Sequence, residues 1–148
     1  MFNKVLIATD GSEEALAAAK VANDYVEKGL VKELVFLNTE PTFIAGTIDM
    51  GMTVGNVENW NSMAQEYGNA LLEEACENIK TKVPITKKIL MGDPAVSICE
   101  YASCNDCDLI IMGSRGNSQL KGLLLGSVST KVLQYAKCPV LIVKGENK

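Results

Sequence analysis

Glycines and serines at fixed spacing are the residues of this chain with most to offer chemically. Met112-Gly113-Ser114-Arg115-Gly116 is followed, nine residues on, by Gly126-Ser127-Val128-Ser129. The first group comes straight after a short apolar run and the second opens a helical pattern. A glycine at the end of a strand lets a phosphate or ribose approach the backbone with no Cβ in the way. Gly116 permits positive φ, so that successive N–H groups can converge into an anion nest. A helix opening at Gly126-Ser127 offers unpaired N–H groups and a positive dipole end, and the hydroxyls of Ser127 and Ser129 can donate further hydrogen bonds. Together these parts could hold a ribose and a polyphosphate chain. The sequence has neither GxxxxGK[ST] nor GxGxxG, so neither of the common phosphate-loop signatures applies. On spacing alone, a plain surface loop with a glycine-capped helix accounts for the glycines equally well.

Other chemistries are narrowed by what the chain lacks. It contains no histidine, which removes Ser-His-Asp and Cys-His nucleophilic sites, histidine general bases and histidine metal ligands. Five cysteines, an odd number with no export signal before them, read as reduced thiols. Cys104-Asn105-Asp106-Cys107 is a CxxC, and thiol redox chemistry through Cys104 and Cys107 is the alternative it raises. It lies where a helix ends and a strand begins, whereas a helix N-terminus is what lowers a thiol pKa. No second CxxC completes a zinc site. No carboxylate pair is placed by motif for acid–base work.

The elements that must position these residues alternate in type. Apolar runs of strand length lie at 3–9, 33–39, 84–91, 107–112 and 138–144. All but the third are nearly continuous in Val, Ile, Leu and Phe, as in parallel strands buried on both faces. The third contains Lys87 and Lys88 and reads as a sheet edge. Helical patterns span 12–28, 57–82, 94–104 and 127–136. Ser12 is placed to cap the first, and Asp93 with Pro94 at the first helical position opens the third. Strand–helix alternation argues βαβ units and a mostly parallel sheet with right-handed crossovers. The segment 40–56 fits neither pattern and reads as a surface loop, a lid or a bland insertion.

A chain of 148 residues with an apolar fraction of 47% and a charged fraction of 22% fits one globular domain, 1–148. Its formal charge of −4 gives no support for nucleic-acid or anionic-membrane partners. No apolar stretch is long enough to span a bilayer, and a cytoplasmic protein is expected.

The stretch Gly113-x2-Gly116-x9-Gly126-Ser127 resembles the nucleotide signature of the ATP-binding universal stress proteins. Thr9-Asp10-Gly11-Ser12, Gly92-Asp93-Pro94-Ala95, Lys131-Val132-Leu133 and Cys138-Pro139-Val140-Leu141-Ile142-Val143 agree with it, in order and correctly spaced. The resemblance covers the chain outside 40–60. It implies a single-domain α/β fold, Rossmann-like and of the adenine nucleotide alpha hydrolase-like type, with five parallel strands in the order 3-2-1-4-5 and helices on both faces. It places ATP, ADP or AMP, with Mg²⁺ bridging phosphates, at the carboxyl ends of strands one and four. Asp10 would accept hydrogen bonds at or near the adenine, with Ala8 and Thr9 on the same wall, and Thr39 would offer its backbone to the adenine edge. Met112 and Gly113 would face the ribose. Gly116, Gly126, Ser127, Val128 and Ser129 would hold phosphates, mainly through N–H groups. The departure is Asn38-Thr39, where many relatives carry His-Val. The chain is thus expected to be a nucleotide-binding regulatory or stress-response protein with at most slow hydrolysis. A module that binds partner proteins and no nucleotide is the other reading. A homodimer is expected through the final strand, with Val140 and Ile142 toward the partner; that strand is apolar and would otherwise be an unpaired edge.

Overall fold

The computed structural model describes residues 1–41, 54–116 and 124–145, with only the backbone of 54–57. In chain order the elements are β1 (Phe2–Ala8), α1 (Glu13–Glu27), β2 (Val31–Glu40), α2 (Val54–Cys76), β3 (Ile85–Met91), α3 (Pro94–Cys104), β4 (Leu109–Gly113), α4 (Ser127–Tyr135) and β5 (Val140–Val143). The five strands form one sheet in the order β3-β2-β1-β4-β5, and every pairing is parallel. This is the expected single-domain α/β architecture.

Side-chain alternation divides the apolar strands between two cores. Val5, Ile7, Leu34, Phe36 and Ile111 point to the face covered by α1 and α2, where they meet Ala18, Ala22 and Leu72. Leu6, Leu37, Ile110 and Met112 point to the other face, against Ala95, Ile98 and Ala102 of α3 and Val132 of α4. Both faces are buried, which is why these strands read as continuous apolar runs. Fully burying one such Leu, Ile or Phe stabilises the fold by roughly 1.5–3 kcal/mol.

Local chemistry sets the helix starts. Ser12 caps α1, its hydroxyl accepting from Ala15 N at 3.2 Å, and Glu13 and Glu14 sit in the first turn. Asp93 caps α3, accepting from Val96 N at 3.0 Å, with Pro94 at the first helical position. β3 is an edge as expected: Lys87 and Lys88 are exposed, and Lys87 pairs with Glu73 at 2.7 Å.

Helix α2 differs from its expected span of 57–82. It begins at Val54, inside the segment read as a loop, and ends at Cys76. Beyond it the chain turns at Ile79, whose N–H reaches Cys76 O at 3.0 Å, and again where Val83 N meets Thr81 Oγ1 at 3.0 Å. Pro84 disfavours helix in the residue before it, while Ile79 and Val83 still pack on the core. The apolar period therefore continues past the helix itself. The remainder of the segment read as a loop, residues 42–53, lies outside the described residues.

Candidate functional site

The strand order reverses between β1 and β4. From β1 the chain passes to α1 on one face, and from β4 to α4 on the other. The two connections diverge and leave a crevice at the carboxyl ends of the strands, where open α/β sheets bind ligands. A cleft of about 280 Å³ lies there. Ala8, Thr9, Asp10, Thr39, Met112, Gly113, Gly116, Gly126, Ser127, Val128 and Ser129 all line it.

The β1 side is a tight turn. Asp10 Oδ1 accepts from Ser12 N at 3.0 Å. Gly11 has φ +81°, the left-handed conformation that favours glycine, and a Cβ there would also push the end of the Leu71 side chain aside. The β4 side is laced by backbone bonds: Ser114 N donates to Val143 O at 2.9 Å and Gly126 N to Ser114 O at 2.7 Å. The start of α4 is thereby drawn onto the end of β4.

The three signature glycines do different work. A Cβ on Gly113 would point away from the cleft into α1, 2.6 Å from Glu14 Cβ and 2.9 Å from Glu14 C. Its missing side chain serves helix–strand packing, while its backbone borders the cleft. A Cβ on Gly116 would collide with Asp10 Oδ2, so this glycine makes room for a carboxylate far away in sequence. Gly116 is not among the positive-φ residues, which for glycine are Gly11, Gly29 and Gly92 among the described residues; the left-handed nest expected there is not formed. A Cβ on Gly126 would meet only ordinary contacts, 3.4 Å to Arg115 Cα, 3.5 Å to Ser114 O and 3.8 Å to Gly116 N.

The hydroxyl of Ser129 also differs from expectation. It is buried, 2.7 Å from Ser114 O and 3.1 Å from Gly126 O, and its proton is committed to backbone carbonyls. What α4 presents instead is backbone. Thr130 N closes the first helical bond to Gly126 O at 3.0 Å, so the N–H groups of Ser127, Val128 and Ser129 precede the intrahelical ladder. Gly126 supplies no side-chain cap, and no acidic residue sits in that first turn. An anion is the partner such an end favours.

Several lining residues escaped the sequence reading. Leu37, Pro94 and Ile98 join Ala8, Met112 and Val128 in an apolar wall. The cap at Asp93-Pro94 marked where α3 begins, but nothing local shows that its first turns border the cleft. Arg115 lines the cleft as well and pairs with Glu14 at 3.6 Å, with its side chain 44% exposed. Thr9 Oγ1 and Thr39 Oγ1 are buried with no partner among the described residues. The site thus combines an apolar surface suited to a planar ring with an anion-seeking helix start.

The cysteines are organised differently. All five are free. Burial pushes the Cys107 thiol up to about 11, the opposite of the lowered value that thiol redox catalysis uses. No metal-holding cluster of His, Cys, Asp or Glu occurs among the described residues.

Comparison with known proteins agrees with this architecture. A model described as the universal stress protein family matches residues 1–144. The chain belongs to the universal stress protein family. Universal stress protein YxiE of Bacillus subtilis is 37% identical over 97% of this chain and 100% of its own length. The solved structure of MJ0577, a universal stress protein of Methanocaldococcus jannaschii, superposes with a TM-score of 0.82 at 30% identity, covering 100% of this chain and 99% of that one. A universal stress protein solved in complex with cAMP superposes with a TM-score of 0.68 at 25% identity, covering 98% of each chain. Among the described residues no helix of this universal stress protein is long and apolar enough to cross a membrane.

Proposed function

We propose that the cleft binds ATP or a closely related adenine nucleotide, and that the bound nucleotide sets a conformation read by a partner protein in the cytoplasm. The observation that carries this reading is the joining, in one crevice, of an apolar wall and the open first turn of α4. A nucleotide has a flat base at one end and anionic phosphates at the other, which those two features match. Asp10 and the backbone of Thr39 serve the base, with Ala8 and Thr9 beside it. Met112 and Gly113 border the ribose. The phosphates would lie against Gly116, Gly126, Ser127, Val128 and Ser129, and Mg²⁺ bound with them would offset part of their charge. A family member solved with cAMP supports an adenine nucleotide.

Regulation fits the site better than turnover. Hydrolysis needs a positioned water and charge stabilisation beyond a phosphate cradle. The described cleft residues supply one cation, Arg115, which is tied to Glu14.

The deciding experiment denatures the purified protein and identifies released small molecules by mass spectrometry, followed by calorimetric titration of the emptied protein with ATP. Adenine nucleotide in the extract and saturable binding are expected. No released nucleotide together with no heat of binding at millimolar ATP overturns the reading, leaving a protein-interaction module.

A further inference from the structure

The end of β2 contains a buried amide that the roles above leave unused. Asn38 is 1% exposed. Its Nδ2 donates to Thr9 O at 3.0 Å, and its Oδ1 has no partner among the described residues. A half-satisfied buried amide is costly, and an apolar side chain of similar volume avoids that cost. What an apolar side chain cannot supply is the bond to the Thr9 carbonyl.

That bond lies where the sheet opens. In a parallel strand, a residue's N–H and C=O face the same neighbour. Leu37 O accepts from Thr9 N, so Leu37 faces β1; Leu34 N donates to Pro84 O and Glu40 O accepts from Gly92 N, so the even-numbered residues face β3. Thr39 therefore turns its N–H and C=O toward the β1 side. The β1–β2 register stops at Ala8–Leu37, and the next ladder bond would run from Thr39 N to Thr9 O. The Asn38 amide meets that carbonyl instead.

We propose that Asn38 is a positioning residue for base selection: its amide occupies the Thr9 carbonyl, ends the β1–β2 ladder one step early, and so leaves the Thr39 N–H and C=O as a donor–acceptor pair facing the cleft. This rests on the nucleotide reading above. Adenine presents a donor at N6 beside an acceptor at N1, matching a C=O and an N–H. Guanine presents an acceptor at O6 beside a donor at N1 and sets like against like. Thr39 lines the cleft and Asn38 does not, so Asn38 acts through its neighbour.

Calorimetry with ATP, GTP and inorganic tripolyphosphate on wild type and Asn38→Leu tests this. Wild type is expected to prefer ATP over GTP. In Asn38→Leu, Thr9 O is free to take Thr39 N, and the ATP-to-GTP preference is expected to fall by on the order of tenfold or more. Tripolyphosphate affinity stays unchanged, whereas general loosening of the domain would weaken all three ligands together. Should Asn38→Leu fail to fold, Gly68→Ala replaces it. Gly68 lies on α2 outside the cleft lining, and its added Cβ would stand 2.6 Å from Asn38 Oδ1, displacing the amide. A variant that folds and keeps the wild-type ATP-to-GTP ratio overturns the proposal, as does a wild type without preference. A wild type that binds neither ATP nor tripolyphosphate overturns the nucleotide reading itself.

Discussion

Replacing Gly113 and Gly126 by alanine, one at a time, should separate two demands that a single motif conceals. At Gly113 the new Cβ stands 2.6 Å from Glu14 Cβ, 2.9 Å from Glu14 C and 3.1 Å from Ala15 N. Carbon atoms rest at roughly 3.5–4.0 Å, so the first turn of α1 must retreat by about 1 Å. The obstacle is backbone rather than the end of a flexible side chain, and overpacking of this kind costs about 1–3 kcal/mol. For a domain of this size each kcal/mol lowers Tm by roughly 2–4 °C, giving a fall of about 2–12 °C. At Gly126 the nearest atom is 3.4 Å from the added Cβ, and the backbone, at φ −76° and ψ 171°, suits any residue. Gly126→Ala should therefore fold normally, the roughly 0.4–1 kcal/mol gained through the unfolded chain being offset by the poorer fit of alanine at a helix N-cap. Its methyl nevertheless stands over Ser114 O and Gly116 N, where the phosphates are placed. ATP affinity should fall on the order of tenfold or more, about 1.4 kcal/mol. Thermal unfolding followed by circular dichroism, with calorimetric titration of each variant, reads both quantities. A Gly113→Ala protein as stable as wild type refutes the packing account. Wild-type ATP affinity in Gly126→Ala refutes the placement of the phosphates.

Three further outcomes are expected. With Cys107 raised to about 11 by burial, its thiolate fraction at pH 8 is about one-hundredth of that of a thiol at the ordinary value of 9. Iodoacetamide mapped by mass spectrometry should label exposed Cys104 well before Cys107, and equal rates would contradict the assignment. The same shift stabilises the fold fully below pH 9 and is lost as pH rises from 9 to about 11, so Cys107→Ala should flatten the stability curve over that window. The homodimer proposed through β5 should be lost in Val140→Lys/Ile142→Lys. Pro139 O and Val143 O accept from Ile110 N and Ser114 N, so the odd-numbered residues face β4 and the backbone of Val140 and Ile142 faces the outer edge. Both side chains also pack against the α3–α4 core, so folding of the variant is checked by circular dichroism. A monomeric wild type in light scattering, or a folded variant that stays dimeric, counts against this interface.

The four apolar strands were legible in the sequence because burial on both faces leaves an unbroken apolar run, and the starts of α1 and α3 because their caps are local chemistry within four residues. The end of α2 was not, since Ile79 and Val83 keep an apolar spacing for core packing after the helical bonds have stopped. Two relations of the cleft lie beyond any local window. Asp10 and Gly116 meet across the crevice, and Asn38 reaches back to the Thr9 carbonyl from the neighbouring strand. The side chain of Ser129 reads in sequence as a ready donor, but only the folded loop shows its proton spent on Ser114 and Gly126.

The glycine spacing itself records backbone proximity and is silent on what comes near. Gly113 is required by the backbone of α1, while Gly116 leaves room for the Asp10 carboxylate, a side-chain end that would have to turn aside from a Cβ. Gly126 is different: no positive φ and no clash requires it, and it caps α4 without a side-chain bond. Alanine at that position would fit sterically, although glycine is the better of the two at a helix N-cap. Its space opens toward Gly116 N, beside the three leading N–H groups of α4. A ligand that must come within van der Waals contact of that backbone explains a glycine there, and within this signature Gly126 is therefore the position at which the case for a bound phosphate is strongest.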